Sequence, residues 1–346
     1  MSDATEKARR AHPLVLALAV LLALGTAWLS VSAMGREPDG GQAGIYAGDD
    51  PARVERLVEQ LSAALLRMQR EDGSFDPGPD AGLQRQQEQI AADALATAAL
   101  VRVRRLGPAY RVDFLDDACE RGLEWIRGQQ QPDGTISQPS DGPEDRYFQI
   151  DATAAGLYAL VEAEDDKSVA AAKQAGPALA TFAEEGLRNG WSRALAAMTV
   201  DRVFAAHRQS IFPAEARAKR IVRGRQVGER RDHRDLAVAE AIVRVVLRRP
   251  GVADTYPEEI LAACLESPPV WKTRASDMQL WWMQAWLVAR SGEGAAWFHD
   301  LVTALEEEAL LPDGRVPGGY YASSLVQTSA AILALCEGLE AQPAAE

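Results

Sequence analysis

One short phrase returns along the chain and limits what it can become. An apolar helix-like end is followed by Gln, then Asp-Gly, then a hydrophobe. It reads Leu66-Arg67-Met68-Gln69-Arg70-Glu71-Asp72-Gly73-Ser74-Phe75 first, and Trp125-Ile126-Arg127-Gly128-Gln129-Gln130-Gln131-Pro132-Asp133-Gly134-Thr135-Ile136 second. A third copy, Leu310-Leu311-Pro312-Asp313-Gly314-Arg315-Val316, lacks the Gln. An Ala-rich apolar stretch follows each copy. Gly supplies a positive φ and Asp caps the turn. Gln can satisfy carbonyls left free at a helix end. The phrase is therefore punctuation between two helices, and its recurrence predicts a string of helical hairpins.

Apolar residues at helical spacing predict twelve helices, near 51–70, 89–105, 113–130, 151–162, 165–186, 191–208, 213–227, 234–247, 257–265, 277–290, 294–309 and 323–339. Gly176-Pro177 predicts a kink or split in the fifth. Alternating β-branched runs are almost absent, so no sheet is expected. The helices form six pairs. The second members, aligned at Asp93, Asp151, Ser192, Asp235, Asp277 and Val326, are spaced by 58, 41, 43, 42 and 49 residues. A quasi-regular period of this size marks stacked hairpins. The second helices are apolar on all sides and the first carry more charge, so six inner helices ringed by six outer ones are expected. The expected fold class is all-α, an (α/α)6 toroid over 50–340.

Ahead of it, residues 1–12 are polar and basic, and 13–34 carry no charge. A run of 22 residues reaches the ~20 needed to span a bilayer. The basic flank would keep the N-terminus in the cytoplasm and export the rest. A cleaved signal peptide ending near Val31-Ser32-Ala33 is the rival; the length of the run favours an uncleaved anchor. Residues 35–48 read as a Gly-rich tether. The expected location is the cytoplasmic membrane, with the toroid outside and the bilayer a partner through 13–34.

The body resembles the prenyltransferase and squalene oxidase repeat family, the α/α toroid of squalene cyclases and other terpene cyclases. Arg121-Gly122, Trp125-Ile126, Gln130 and Gly134 match its repeat, while Phe75, Ile136 and Val316 stand where the family closes with Trp. The resemblance implies a toroid. It would imply catalysis only through motifs that are missing. The cyclases' Asp-x-Asp-Asp acid is absent, and Asp113–Asp117 fails its spacing. The zinc-binding Asp-x-Cys of the protein prenyltransferases is absent too, and the four histidines pair with no nearby cysteine. No metal and no cofactor are expected. Cys119, Cys264 and Cys336 lie inside helical patterns and read as buried small hydrophobes.

Acids at the inner-helix starts are the remaining chemistry. Asp93, Asp151, Asp235 and Asp277 would share one rim of the ring. Two carboxylates about 6–9 Å apart can hydrolyse a glycosidic bond, although Asp is also an ordinary helix cap. Asp151, within Tyr147-Phe148-Gln149-Ile150-Asp151, is the first candidate and Asp93 the second. Tyr147, Gln149, Asp235, Asp277, Trp281 and Tyr320 are candidate ligand contacts. Trp281 and Trp282 face different sides of one helix, so at most one reaches the lumen. Residues 217–234 hold eight Arg or Lys against two acids, a patch suited to an anionic glycan or lipid headgroups. A net charge of -13 argues against nucleic acid. The missing motifs favour a binding or scaffold module. The alternatives are an enzyme acting on an envelope glycan through rim carboxylates, and an isoprenoid cyclase with a departed motif.

Overall fold

In a computed structural model of the chain, the described residues are 51–77, 86–138, 145–185, 190–205, 211, 233–247, 255–291, 293–319 and 322–340. They belong to one compact unit, Gly44–Glu346. They are helical and include no strand, only two isolated bridges, Gln69 with Phe75 and Gln130 with Ile136. The expected anchor at 13–34, the tether at 35–48, the helix at 213–227 and the basic patch at 217–232 lie outside them. Among the described residues no helix is long and apolar enough to cross a membrane. The expected transmembrane helix and its bilayer contact therefore have no support in the structure.

Eleven helices are described: α1 Pro51–Met68, α2 Gln86–Leu106, α3 Leu115–Gly128, α4 Asp145–Ala163, α5 Asp166–Glu185, α6 Gly190–Ala205, α7 His233–Val246, α8 Tyr256–Leu265, α9 Met278–Ala289, α10 Ala295–Thr303 and α11 Ser324–Glu340. A π-helical stretch, Ala304–Ala309, extends α10. Pro177 does not split α5; the helix runs through it, and Thr181 donates to the Pro177 carbonyl at 3.2 Å.

The contacts close. α2 packs on α4, α4 on α6, α6 on α7, α7 on α9, α9 on α11, and α11 back on α2. Small residues let the first of these pairs approach: Ala92, Ala96 and Ala99 on α2, and Ala152, Ala155 and Ala159 on α4, are buried. Outside this ring, α1 touches α11 and α2, α3 touches α2 and α4, and α8 touches α7 and α9. The all-helical fold is thus consistent with an α/α toroid.

The recurring phrase makes the joints. Asp72 Oδ1 accepts from Ser74 N at 3.0 Å, Asp133 Oδ1 from Thr135 N at 2.9 Å, and Asp313 Oδ1 from Arg315 N at 3.1 Å. The glycines sit at φ 90°, 91° and 80°. Each turn then docks on an outer helix of a different hairpin. The Gln69 amide donates to the Ala118 carbonyl of α3 at 2.9 Å, and the Gln130 amide to the Ala171 carbonyl of α5, also at 2.9 Å. Gly314 of the third copy lies against the Gln60 carbonyl of α1, where a Cβ would come within 2.8 Å. Arg67 donates to the Asp313 carbonyl in place of the missing Gln. The last turn thus locks onto the first helix. The hydrophobe that ends each phrase, Phe75, Ile136 or Val316, is fully buried, worth about 1.5–3 kcal/mol each for a large side chain.

Gly134 tests this docking. A Cβ there would stand 2.1 Å from the Gln174 carbonyl oxygen, on a backbone at φ +91°. Gly134→Ala is expected to lower unfolding stability by at least ~1–2 kcal/mol from the conformation alone. Gly128→Ala, at a helical position with open space around it, should be neutral or stabilising by up to ~1 kcal/mol. Urea midpoints that fall equally for both variants would contradict the docking role.

Candidate functional site

Where both members are described, each inner helix follows an outer one and runs the same way: α2 after α1, α4 after α3, α6 after α5, α9 after α8 and α11 after α10. Their N-terminal ends form one rim and their C-terminal ends the other. Side chains cross the interior of the ring. Trp282 of α9 meets Tyr158 of α4 across it, ring centroids 5.3 Å apart, and Trp191 of α6 at 5.5 Å. Beyond these aromatics lies a charged cluster. Arg102 of α2, fully buried, bonds Glu337 at 2.5 Å, Glu340 at 2.9 Å and the Tyr158 hydroxyl at 3.2 Å. Arg202 of α6 pairs with Glu162 at 3.0 Å and reaches Glu340 of α11 at 2.5 Å. That last bond joins helices that are not neighbours in the ring, so the cluster spans its interior.

The remaining site candidates lie toward the N-terminal ends of the inner helices. Asp151 sits there on α4, half-buried, and Ser192 of α6 donates its hydroxyl to Asp151 Oδ1. The neighbouring residue, Trp191, is half-buried and rests on Trp282. A carboxylate oriented by a hydroxyl beside a partly exposed indole is a polar-plus-aromatic arrangement of the kind that binds amphipathic rings.

The other expected site residues divide. Asp93 is fully buried and lies under the first turn: its Oδ1 accepts from Phe75 N at 3.2 Å and from the Gln89 amide at 2.6 Å. The same bond is made to Ile136 N by Thr153 at 3.1 Å, and to Val316 N by Thr328 at 3.0 Å. Asp93 is thus the counterpart of Thr153, two residues past Asp151, and not of Asp151 itself. Asp93 Oδ2 has no hydrogen-bond partner. Burial is the main cause that pushes the Asp93 carboxyl up to about 8, against the bonds from Gln89 and Phe75.

Asp277 caps α9, accepting from Gln279 N at 2.9 Å and Leu280 N at 3.3 Å. Burial raises its carboxyl and those two N–H groups oppose the rise. Trp281 turns away from the ring interior and packs edge-on with Trp271 at 6.4 Å; the tryptophan inside is Trp282. Gln149 is half-buried on α4. Tyr147 and Asp235 lie on α4 and α7 with side chains outside the described set, and Tyr320 lies outside it altogether. The sequence reading missed Trp191 and Tyr158. Trp191 could have been found from its place beside Ser192 at an inner-helix start; nothing marked Tyr158. Among the described residues no group of His, Cys, Asp and Glu is placed to hold a metal. Cys119 and Cys336 are buried and burial raises both thiols to about 12.

No family model and no curated protein matches this sequence. Solved structures do match the fold. One is a glycosidase with a Glu-to-Ala substitution in complex with glucose, 14% identical, covering 86% of this chain and 100% of its own, at TM-score 0.57. Another is a glycosidase with a Tyr-to-Phe substitution, 14% identical with the same coverages, at TM-score 0.56. A third is an inactive double Asp-to-Ala variant of an α-1,6-mannanase of Salegentibacter sp. in complex with α-1,6-mannotetrose. It is 10% identical, covers 83% of this chain and 99% of its own, and has a TM-score of 0.55. These likenesses show the fold. They also correct the resemblance to the prenyltransferase and squalene oxidase repeat: the structural neighbours are glycosidases, with no prenyltransferase or terpene cyclase found. The phrase that suggested that family locks a turn onto the next outer helix, a need common to any ring of α/α hairpins.

Proposed function

We propose that this protein acts on a glycan at the N-terminal rim of its inner ring, with Asp151 as the working carboxylate. The observation that carries the proposal is the Asp151–Ser192 pair beside Trp191, on a fold shared with glycosidases. Hydrolysis needs a second carboxyl group. Asp93 is buried under its turn and Asp277 caps its helix. We assign the second role to Asp235, third residue of α7 on the same rim. The mannanase neighbour, bound to α-1,6-mannotetrose, makes an α-linked mannan the first substrate to try.

A second reading, a glycan-binding module without turnover, is favoured by the same placement: two of the four rim acids are engaged in structural bonds. One experiment separates the two. The protein is incubated with a panel of α-mannans, α-glucans, β-glucans and peptidoglycan strands, and both binding and release of reducing ends are measured. Under the first reading, wild type releases reducing ends from one of them. Asp151→Asn and Asp235→Asn each lose at least ~100-fold of that rate, ~3 kcal/mol of barrier, and still bind. Binding without any release supports the second reading. Neither binding nor release across the panel sinks both. An exported location, expected from the charge-free run and its basic flank, belongs to the same proposal. It is tested by protease access to the body in intact cells stripped of their outer wall.

A further inference from the structure

Arg193 occupies a place that three other inner helices use differently. It lies nine residues before Arg202 of the buried cluster, as Asp93 lies before Arg102, Thr153 before Glu162 and Thr328 before Glu337. Those three side chains each accept from a backbone N–H of the turn in front of their helix. A guanidinium has donors and no acceptor, so Arg193 cannot hold a turn in that way. One of its nitrogens is engaged: Nη2 reaches Glu240 Oε2 of α7 at 3.1 Å. Arg193 is only 6% exposed, and its Nε and Nη1 have no hydrogen-bond partner among the described residues.

Glu240 does not neutralise Arg193 alone. Its other oxygen accepts from Arg244 Nε at 3.1 Å, so two guanidinium groups share one carboxylate. The Arg244 guanidinium lies over the Tyr256 ring of α8, 4.3 Å from its centroid. Arg193 is the fourth residue of α6, whose first turn carries no acid, and the helix dipole adds positive partial charge at that end. Buried polar groups in folded proteins are paired, and an uncompensated charge is the costliest exception. Two idle N–H groups on a buried cation, at the positive end of a helix, are the complement of an anion. The rim site adjoins them. Ser192 donates to Asp151 on the α4 side of α6, and Trp191 rests on Trp282.

We infer that Arg193 is a specificity-determining residue that takes an oxyanion carried by the glycan of the proposed function, on which reading this inference rests. The oxyanion is a carboxylate or a phosphate ester, since either forms a charge-assisted bond to a guanidinium. The substrate class is then an acidic glycan, with its charged group on the α7 side of α6 and the working carboxylate on the α4 side. A neutral analogue leaves the buried donors unpaired, the situation in which a polar site rejects a ligand that lacks the partner group.

The test uses the full chain and two matched pairs of glycans. One is a uronic-acid oligosaccharide with its carboxyl-reduced counterpart. The other is a phosphorylated α-1,6-mannan oligosaccharide with its dephosphorylated counterpart. Inorganic phosphate alone is the free anion, and affinity is measured calorimetrically. Wild type should bind one acidic member at least tenfold more tightly than its neutral counterpart, and the pair that shows the preference names the group. Arg193→Met should bring the two members of that pair within about twofold of each other, and Arg193→Lys should keep part of the preference. A purely structural role would weaken both members together and leave their ratio as in wild type, which overturns the inference. Wild type that binds both pairs without preference overturns it before any variant is made, and phosphate uptake in that case marks a site for a free anion only. If Asp151→Asn still removes reducing-end release from the neutral members, the rim site stands without it. Uptake of none of these glycans, nor of any in the panel, overturns both.

Discussion

Arg102→Met should destabilise the folded protein by about 3–5 kcal/mol, read from urea unfolding at pH 7, because breaking a buried ion pair leaves its partner charged and dry. Arg102 is fully buried, and Glu337, which it holds at 2.5 Å, is 4% exposed. Burial alone would raise the Glu337 carboxyl. The guanidinium of Arg102, then those of Arg202 and Arg290, outweigh it and hold Glu337 down to about 2. A carboxyl lowered in the native state adds stability above its unfolded value of 4.5, and that stability is lost as pH falls from there toward 2. In the variant Glu337 keeps Arg290 at 3.7 Å, too long for a hydrogen bond, and becomes easier to protonate. The deficit of Arg102→Met should therefore shrink below pH 4.5. Arg102→Met/Glu337→Leu should recover much of the loss, since apolar replacement of a whole buried pair is often neutral. A single variant within ~1 kcal/mol of wild type would show that the cluster does not hold the ring together.

This cluster is also the part of the molecule least readable in the sequence. Arg102 and Glu337 are 235 residues apart, each a charge near a helix end. Only ring closure makes them neighbours. The helices themselves were legible, because burial on one side imposes a 3.6-residue period whatever the partner is. The turns were legible because a positive φ demands Gly, and a two-residue reach to a backbone N–H suits Asp. Rotation about a helix axis was not. Trp281 and Trp282 differ by about 100° on one helix, and which of them faces inward is decided by Tyr158 and Trp191, contributed by other hairpins. Register failed in the same way at Asp93. Aligning inner helices on their acids set Asp93 beside Asp151. Aligning them on the bond each gives to the preceding turn sets Asp93 beside Thr153 and Thr328. A hydroxyl and a carboxylate do that job equally well, so the letters hid the equivalence.

The mismatch at Asp93 gives the second large effect. Threonine fills this place twice with a single oxygen; aspartate brings a second, Oδ2, that has no partner. The residue is fully buried, so little solvent screens it. Its carboxyl titrates at about 8 in the folded protein against 3.8 as a free side chain, chiefly through burial, with Asp72 adding to the rise and Arg70 opposing it. Between those values the native state keeps a proton that the unfolded chain has released, so raising the pH favours unfolding. The slope is about 1.4 kcal/mol per pH unit, or roughly 4 kcal/mol from pH 5 to pH 8, and it levels off above the folded value. The window is separate from that of Glu337, whose contribution is complete above pH 4.5. Asp93→Thr keeps the bond to Phe75 N and removes the carboxyl. It should match wild type near pH 4 and exceed it by several kcal/mol at pH 8, in parallel urea titrations. Wild-type stability that stays flat from pH 5 to 8, or falls identically in both proteins, would mean that Asp93 is ionised in the fold and that Oδ2 has found a donor.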